Sequence, residues 1–152
     1  MRKFFFVMLL LPALLFTACG GDDDKNNSAV TGILLNDAIL NYIQTNYEGA
    51  VIKSYELEPN GLIDVDIMHD AVSKDVYFMQ NGQWVLTKWD VSLSALPAVV
   101  VDAVLLAYPE YVIDDADFVQ SPSGNYYSIN IEKGNFERNL RVALDGSSVD
   151  EV

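Results

Sequence analysis

A run of twenty residues, Asp66 to Val85, returns without a gap as Asn130 to Val149, and this echo limits what the chain can fold into more than anything else in it. Ile67, Gly82 and Val85 recur as Ile131, Gly146 and Val149, while Val76, Phe78 and Asn81 recur as Leu140, Val142 and Asp145. Asn81-Gly82 and Asp145-Gly146 are dipeptides that accept positive φ angles, so each is expected to close a two-residue type I′ turn. Alternating apolar runs flank both turns, which predicts two copies of one β-hairpin.

A helix is repeated as well. Leu35, Ile39, Ile43 and Tyr47 fall four residues apart with Leu40 and Tyr42 beside them, predicting a helix over 33–47 with one buried stripe. Asn36, Asp37, Asn41 and Gln44 then face water. Shifted by 61 positions, Leu96, Val100, Val104 and Tyr108 lie on the same seam, with Ser94 as the expected cap and Pro97 tolerated in the first turn. Val99, Val101, Leu105 and Leu106 add apolar surface off that seam, so burial against the first helix is expected, a dimer contact being the alternative. Leu96 to Tyr108 is too short to span a bilayer, which takes roughly 20 residues.

Extended stretches follow each helix, Ala50 to Glu58 and Tyr111 to Gln120, ended by the turn signatures Pro59-Asn60-Gly61 and Pro122-Ser123-Gly124. Ile63, Val65 and Ile67, like Tyr127, Ile129 and Ile131, alternate with polar residues as half-buried strands do. The fold class is therefore α+β: two tandem repeats, 31–91 and 92–152, each one helix followed by four antiparallel strands. A small sheet needs a covering layer, so both helices are expected on one face of a joined or adjacent pair of sheets, with the other face open.

The chain's start reads as an address. Arg2-Lys3 followed by the apolar run Phe4 to Phe16 is a secretion signal, over 1–18, and Leu15-Phe16-Thr17-Ala18-Cys19 resembles a bacterial lipoprotein box. Cys19 would then carry the acyl chains that anchor the protein in the cell envelope, with the outer membrane as the expected location; as the only cysteine it excludes any internal disulfide. Residues 19–30, polar and rich in glycine and aspartate, read as a tether, and Asp22-Asp23-Asp24 behind the cysteine resembles a surface-export signal, with a plain solvated spacer as the alternative.

Helix-then-four-strands, twice over, behind such a leader resembles the PepSY-like, beta-lactamase-inhibitor-protein-like family of bacterial secreted lipoproteins. The residues that carry the likeness are Leu35 to Tyr47 with Leu96 to Tyr108, the aromatic helix ends Tyr47-Glu48 and Tyr108-Pro109, and the two turns at Gly82 and Gly146. The resemblance implies a non-catalytic fold that binds other proteins, including as an enzyme inhibitor, and brings no active-site residues with it.

Charge narrows the partners. Lys and Arg number 9 against 22 Asp and Glu, a net charge of -13; such a surface repels phosphate backbones, so no nucleic acid partner is expected. His69 is the only histidine and Cys19 is assigned to the lipid, so no catalytic residue and no cofactor is expected; His69, near a strand end, is expected to be exposed. Asp64, Asp66, Asp70 and Asp75 have the donor chemistry of a calcium cluster, but Asp64 and Asp66 alternate with apolar residues as a solvated strand face does, and Asp114, Asp115 and Asp117 lack EF-hand spacing; no metal site is assigned.

The open sheet face is the candidate site. With Val76, Phe78 and Val85 turned to the helices, Tyr77, Met79 and Trp84 should project outward, joined by Met68 and Tyr126, in the residue types that anchor interfaces. The expected function is a lipid-anchored envelope protein without catalytic activity, holding a protein or peptide partner on that face. A carbohydrate-binding surface lipoprotein is the alternative, and a metal-dependent envelope hydrolase acting through His69 and the aspartates is a further one.

Overall fold

The computed structural model describes residues 34–152. The segment expected to be a signal peptide, Cys19 and the expected tether all lie outside the described residues.

Two helices, α1 (Asp37–Asn46) and α2 (Ala98–Ala107), each precede four strands. These are β1 (Val51–Leu57), β2 (Ile63–His69), β3 (Val72–Phe78) and β4 (Trp84–Asp90), then β5 (Val112–Gln120), β6 (Tyr126–Lys133), β7 (Phe136–Ala143) and β8 (Val149–Glu151). All eight strands pair antiparallel in chain order within one sheet, joined at its middle by β4 and β5. The register repeats across the two halves: Ile67 faces Lys74 and His69 faces Val72, as Ile131 faces Arg138 and Lys133 faces Phe136.

The stripe residues of α1 are the ones that leave water. Ile39, Ile43 and Tyr47 pack on Ile63, Val65, Ile67, Val76 and Phe78. Leu96, Val100 and Val104 pack on Ala116, Ile129, Ile131, Leu140 and Val142. Each fully buried branched side chain contributes about 1.5–3 kcal/mol, so either seam outweighs the helix propensity of ten residues. Register puts both clusters on one side of the sheet: Val76 stands beside Thr87, and two residues further on Trp89, Phe118, Tyr127 and Val142 continue the same face.

Both helices start later than the apolar period suggests, α1 at a side-chain cap and α2 at a proline. Asn36, expected to face water, caps α1: its Oδ1 accepts from Ile39 N at 3.0 Å and its Nδ2 donates to the Gln80 carbonyl at 3.1 Å. Ser94 does not cap α2. It lies in a short 3₁₀ turn, Leu93–Ala95, and α2 begins after Pro97, whose fixed φ suits a helix start. The expected burial of α2's second apolar side against α1 is also corrected. Val99, Leu105 and Leu106 are exposed, Leu106 to 86%, because the helices sit over separate halves of the sheet with separate clusters.

The turns differ from expectation in kind. Among the described residues positive φ falls on Gly82 and Gly146 but not on Asn81 or Asp145, so these are not type I′ turns. Gly82 N donates to the Met79 carbonyl and Met79 N to the Gln83 carbonyl, a type I turn followed by a left-handed glycine. The type I′ pattern belongs to Asp70-Ala71, both at positive φ (52° and 62°) between His69 and Val72. Gly82 is needed for space as well: a Cβ there would stand 2.6 Å from Ala38 Cβ, and one on Gly146 would stand 2.6 Å from the Val99 carbonyl oxygen. Each glycine thus lets its turn rest on the first turn of the helix in its own half.

Candidate functional site

The sheet presents two surfaces with different chemistry. On the side away from the helices, Asp64, Asp66, Asp75, Asp90, Asp115 and Asp117 project from β2 to β5, the register placing Asp66, Asp75, Lys88, Val119 and Tyr126 side by side across five strands. Lys88 and Arg141 are the cations among them. Lys88 Nζ lies 3.6 Å from Asp75 and 5.6 Å from the centre of the Tyr77 ring, and the Arg141 guanidinium sits 4.1 Å over Tyr126. Val119 is buried between Lys88 and Tyr126 although it faces this side.

Several of these carboxyls are half-buried, and burial acts on their charge. Desolvation pushes Asp64 up to about 6, with the Tyr77 hydroxyl beside it pulling the other way and the Asp75 charge adding to the rise. Burial also leads the rise of Asp117 to about 6, followed by its contact with Asp90, and raises Asp75 against the pull of Lys88. Tyr77 is raised, first by burial and then by Asp64. Asp64 Oδ1 is buried and has no hydrogen-bond partner, an acceptor left unpaired in a place where that is costly.

Four of the five residues proposed from sequence reach this face, but they do not converge. Tyr77 and Met79 stand at one end of the β2–β3 hairpin and Met68 near the other, while Tyr126 is three strands away on β6, roughly 14 Å at the spacing of a sheet. Met79 is 44% exposed. Trp84 is on the opposite side. A bulge at Val85 shifts the register, pairing Phe78 with Trp84 but Tyr77 with Leu86, and a one-residue slip turns a side chain through the sheet. The aspartates between the aromatics, not the aromatics alone, make up this surface.

Trp84 instead belongs to a half-buried polar and aromatic cluster beneath α1. Its ring stacks on Tyr42 with centroids 5.6 Å apart and planes 19° apart, and Tyr42 meets Phe78 edge-on. Trp84 Nε1 donates to Thr87 Oγ1 at 3.0 Å, and the Tyr47 hydroxyl shares a 2.7 Å hydrogen bond with the same oxygen. Thr87 is fully buried, the one buried polar residue among those described. His69, expected to be exposed, is half-buried with its ring edge-on to Tyr47 at 5.5 Å and its Nδ1 3.6 Å from Asp70. Tyr42, Asn46, Tyr47, His69, Lys74, Trp84, Trp89, Gln120 and Asn125 line a cleft of about 510 Å³ here. Sequence alternation cannot reveal it, since α1, four strands and the β5–β6 turn contribute to it from between residues 42 and 125.

The calcium cluster does not assemble as grouped in the sequence. Asp70 is in the β2–β3 turn, and Asp66 is taken by the Ser73 hydroxyl at 3.0 Å and more weakly by Ser54. Glu56, Glu58 and Asp64 are the carboxylates whose oxygens come within 4.8 Å of one another, at the β1–β2 edge; they could hold a hard cation.

An open eight-stranded antiparallel sheet with two helices is an α+β architecture in which one face is left to solvent. The chain belongs to the PepSY-like family: the family profile described as "Putative beta-lactamase-inhibitor-like, PepSY-like" matches residues 61–147. Among solved structures it is similar to a BLIP-like protein (BF1215) from Bacteroides fragilis, with a TM-score of 0.67 and 21% identity over 80% of this chain and 89% of that one. It is similar to a DUF2874 family protein from Bacteroides ovatus, TM-score 0.66 and 23% identity over 80% and 90%. A putative periplasmic protein from Bacteroides eggerthii follows at TM-score 0.63 and 17% identity over 78% and 90%. At these identities the likeness is one of fold. No curated protein matches the chain. Among the described residues no helix is long and apolar enough to cross a membrane.

Proposed function

We propose that the chain is two tandem helix-plus-four-strand units forming a non-catalytic binding module, whose open sheet face holds a protein or peptide partner rich in Lys or Arg. The observation that carries this reading is Asp64, with one oxygen buried and unpaired among further half-buried carboxyls on a solvent-facing sheet. A desolvated carboxylate gains most from an incoming cation, because the cost of removing its water has already been met. Tyr77, Met79, Met68 and Tyr126 supply apolar contact around the charges.

The inhibitor-like description of the family, and the BLIP-like description of a structural relative, support a role in engaging other proteins. Export is supported by the leader of the sequence and by the periplasmic description of the Bacteroides eggerthii relative. The likeness of Leu15 to Cys19 to a lipoprotein box supports lipidation at Cys19, and with it an envelope anchor that we assign to the outer membrane.

The test is capture from a cell-envelope extract by the immobilised chain, followed by titration of the captured partner. Asp64→Asn with Asp117→Asn is expected to weaken binding at least tenfold, as is Tyr77→Ala with Tyr126→Ala, while Leu106→Ser on the far side leaves it unchanged. Binding should also fall steeply with salt. Unchanged affinity in both double variants that retain the wild-type thermal midpoint would remove the sheet face from consideration.

A further inference from the structure

The cleft beneath α1 is chemically unlike the rest of the molecule. Residues 34–152 carry 19 Asp and Glu against six Lys and Arg, yet no carboxylate lines it. What lines it is one ammonium, one imidazole, three carboxamides and four aromatic rings.

The ammonium is Lys74, on the helix side of β3. Its Nζ lies 3.7 Å from the centre of the Trp89 ring, and among the described residues it makes no ion pair. Burial lowers its pKa, with Asp70 pulling it back, so the charge has lost water and is met at close range by a ring face and from farther off by the Asp70 carboxylate. Phe118 backs Trp89 at 4.8 Å and holds that platform in place. The other side chains lining the cleft, from α1, β2, β4, the end of β5 and the β5–β6 turn, are carboxamides, phenols and an indole apart from His69. Asn46 donates to the Tyr42 carbonyl at 2.9 Å, leaving its own oxygen free, and the Gln120 and Asn125 carboxamides have no hydrogen-bond partner among the described residues.

We propose that this cleft is a binding site for an acidic sugar: a ring bearing one carboxylate and several hydroxyls. The carboxylate meets Lys74, the hydroxyls meet Asn46, Gln120 and Asn125, and the C–H faces of the ring rest against Tyr42 and Trp84. A simple aromatic acid would satisfy the ammonium and the rings but leave the carboxamides unused; a neutral sugar would leave the ammonium unanswered. The site lies on the helix side of the sheet and is independent of partner binding on the open face.

Trp84 and Trp89 are the only two tryptophans in the chain, so tryptophan emission of the full protein reports on this cleft directly. Glucuronate and galacturonate should each change the emission saturably and bind at least tenfold tighter than glucose, with acetate at equal ionic strength giving no saturable change. Lys74→Met should bring the uronates to within about twofold of glucose without lowering the thermal midpoint. If that variant does not fold, Asn125→Ala, at an exposed turn position, should weaken the uronates about fivefold or more. No saturable response to either uronate, equal binding of glucose, a matching response to acetate, or uronate affinity unmoved by the substitution would each overturn the assignment.

Discussion

Thr87→Val should cost this protein more than any other single isosteric change in it. The Thr87 hydroxyl is fully buried and joins two aromatic side chains, accepting from Trp84 Nε1 at 3.0 Å and sharing a 2.7 Å hydrogen bond with the Tyr47 hydroxyl. Replacing it with a methyl removes two hydrogen bonds, each contributing about 1 kcal/mol net. It also leaves the Tyr47 hydroxyl without its partner on a residue only 8% exposed, which adds about 1–2 kcal/mol, whereas the half-buried indole can turn to water. The sum is about 3 kcal/mol, which for a folded region of this size lowers the thermal midpoint by roughly 10 °C. Denaturant unfolding followed by tryptophan emission measures it. Thr87→Ser, which keeps the oxygen and loses a methyl, should cost only about 1 kcal/mol. Tyr47→Phe with Thr87→Val should recover about 1 kcal/mol relative to the sum of the two single changes, because the orphaned hydroxyl is gone. Equal costs for Val and Ser, or additivity within about 0.5 kcal/mol, would show that Thr87 acts by shape and not by its hydroxyl.

Gly82→Ala should destabilise by about 2–4 kcal/mol in chemical denaturation, combining left-handed backbone cost with collision on Ala38, whereas Gly49→Ala, at φ 78° with nothing within 4 Å, should cost only about 1 kcal/mol. Ala71→Gly should stabilise by about 0.5 kcal/mol, since relief of a left-handed alanine at φ 62° exceeds the added chain entropy; a loss of stability would contradict the turn geometry. Burial raises Asp64 and Asp117 to about 6, so the folded state holds those protons more tightly than the unfolded chain does. Their contribution is fully present below the ordinary carboxylate range and lost as pH rises through about 6, so the thermal midpoint should be higher at about pH 5 than at about pH 7.5. Solvent screening of these half-exposed groups keeps the difference to a few degrees, and Asp64→Asn with Asp117→Asn should flatten it.

Much of the scaffold was legible one residue at a time. The four-residue spacing of Ile39, Ile43 and Tyr47, and of Leu96, Val100 and Val104, marks the residues that are buried, because a helix on a sheet hides one stripe whatever else happens. The alternation of Ile63, Val65 and Ile67 marks an inner strand face for the same reason. The candidate site was less legible. Counting alternately along Tyr77, Met79 and Trp84 sends the indole to the wrong face, since a bulge leaves no mark in the periodicity but resets every side chain after it. Asn36 looks like a water-facing helix residue until Gln80, 44 residues later, is seen to complete its cap.

By itself the sequence determined what is local: which residues turn inward, where the chain reverses, and that the surface is acidic, all consequences of period, turn chemistry and net charge. The tertiary structure alone decided what depends on residues distant in sequence: that the halves share one eight-stranded sheet, that Thr87 ties Tyr47 to Trp84, and that carboxyls from β2 to β5 crowd one face while a carboxylate-free cleft with Lys74 opens on the other. Strand pairing creates those neighbourhoods, and desolvation, which sets their charge and affinity, exists only once the neighbours have met.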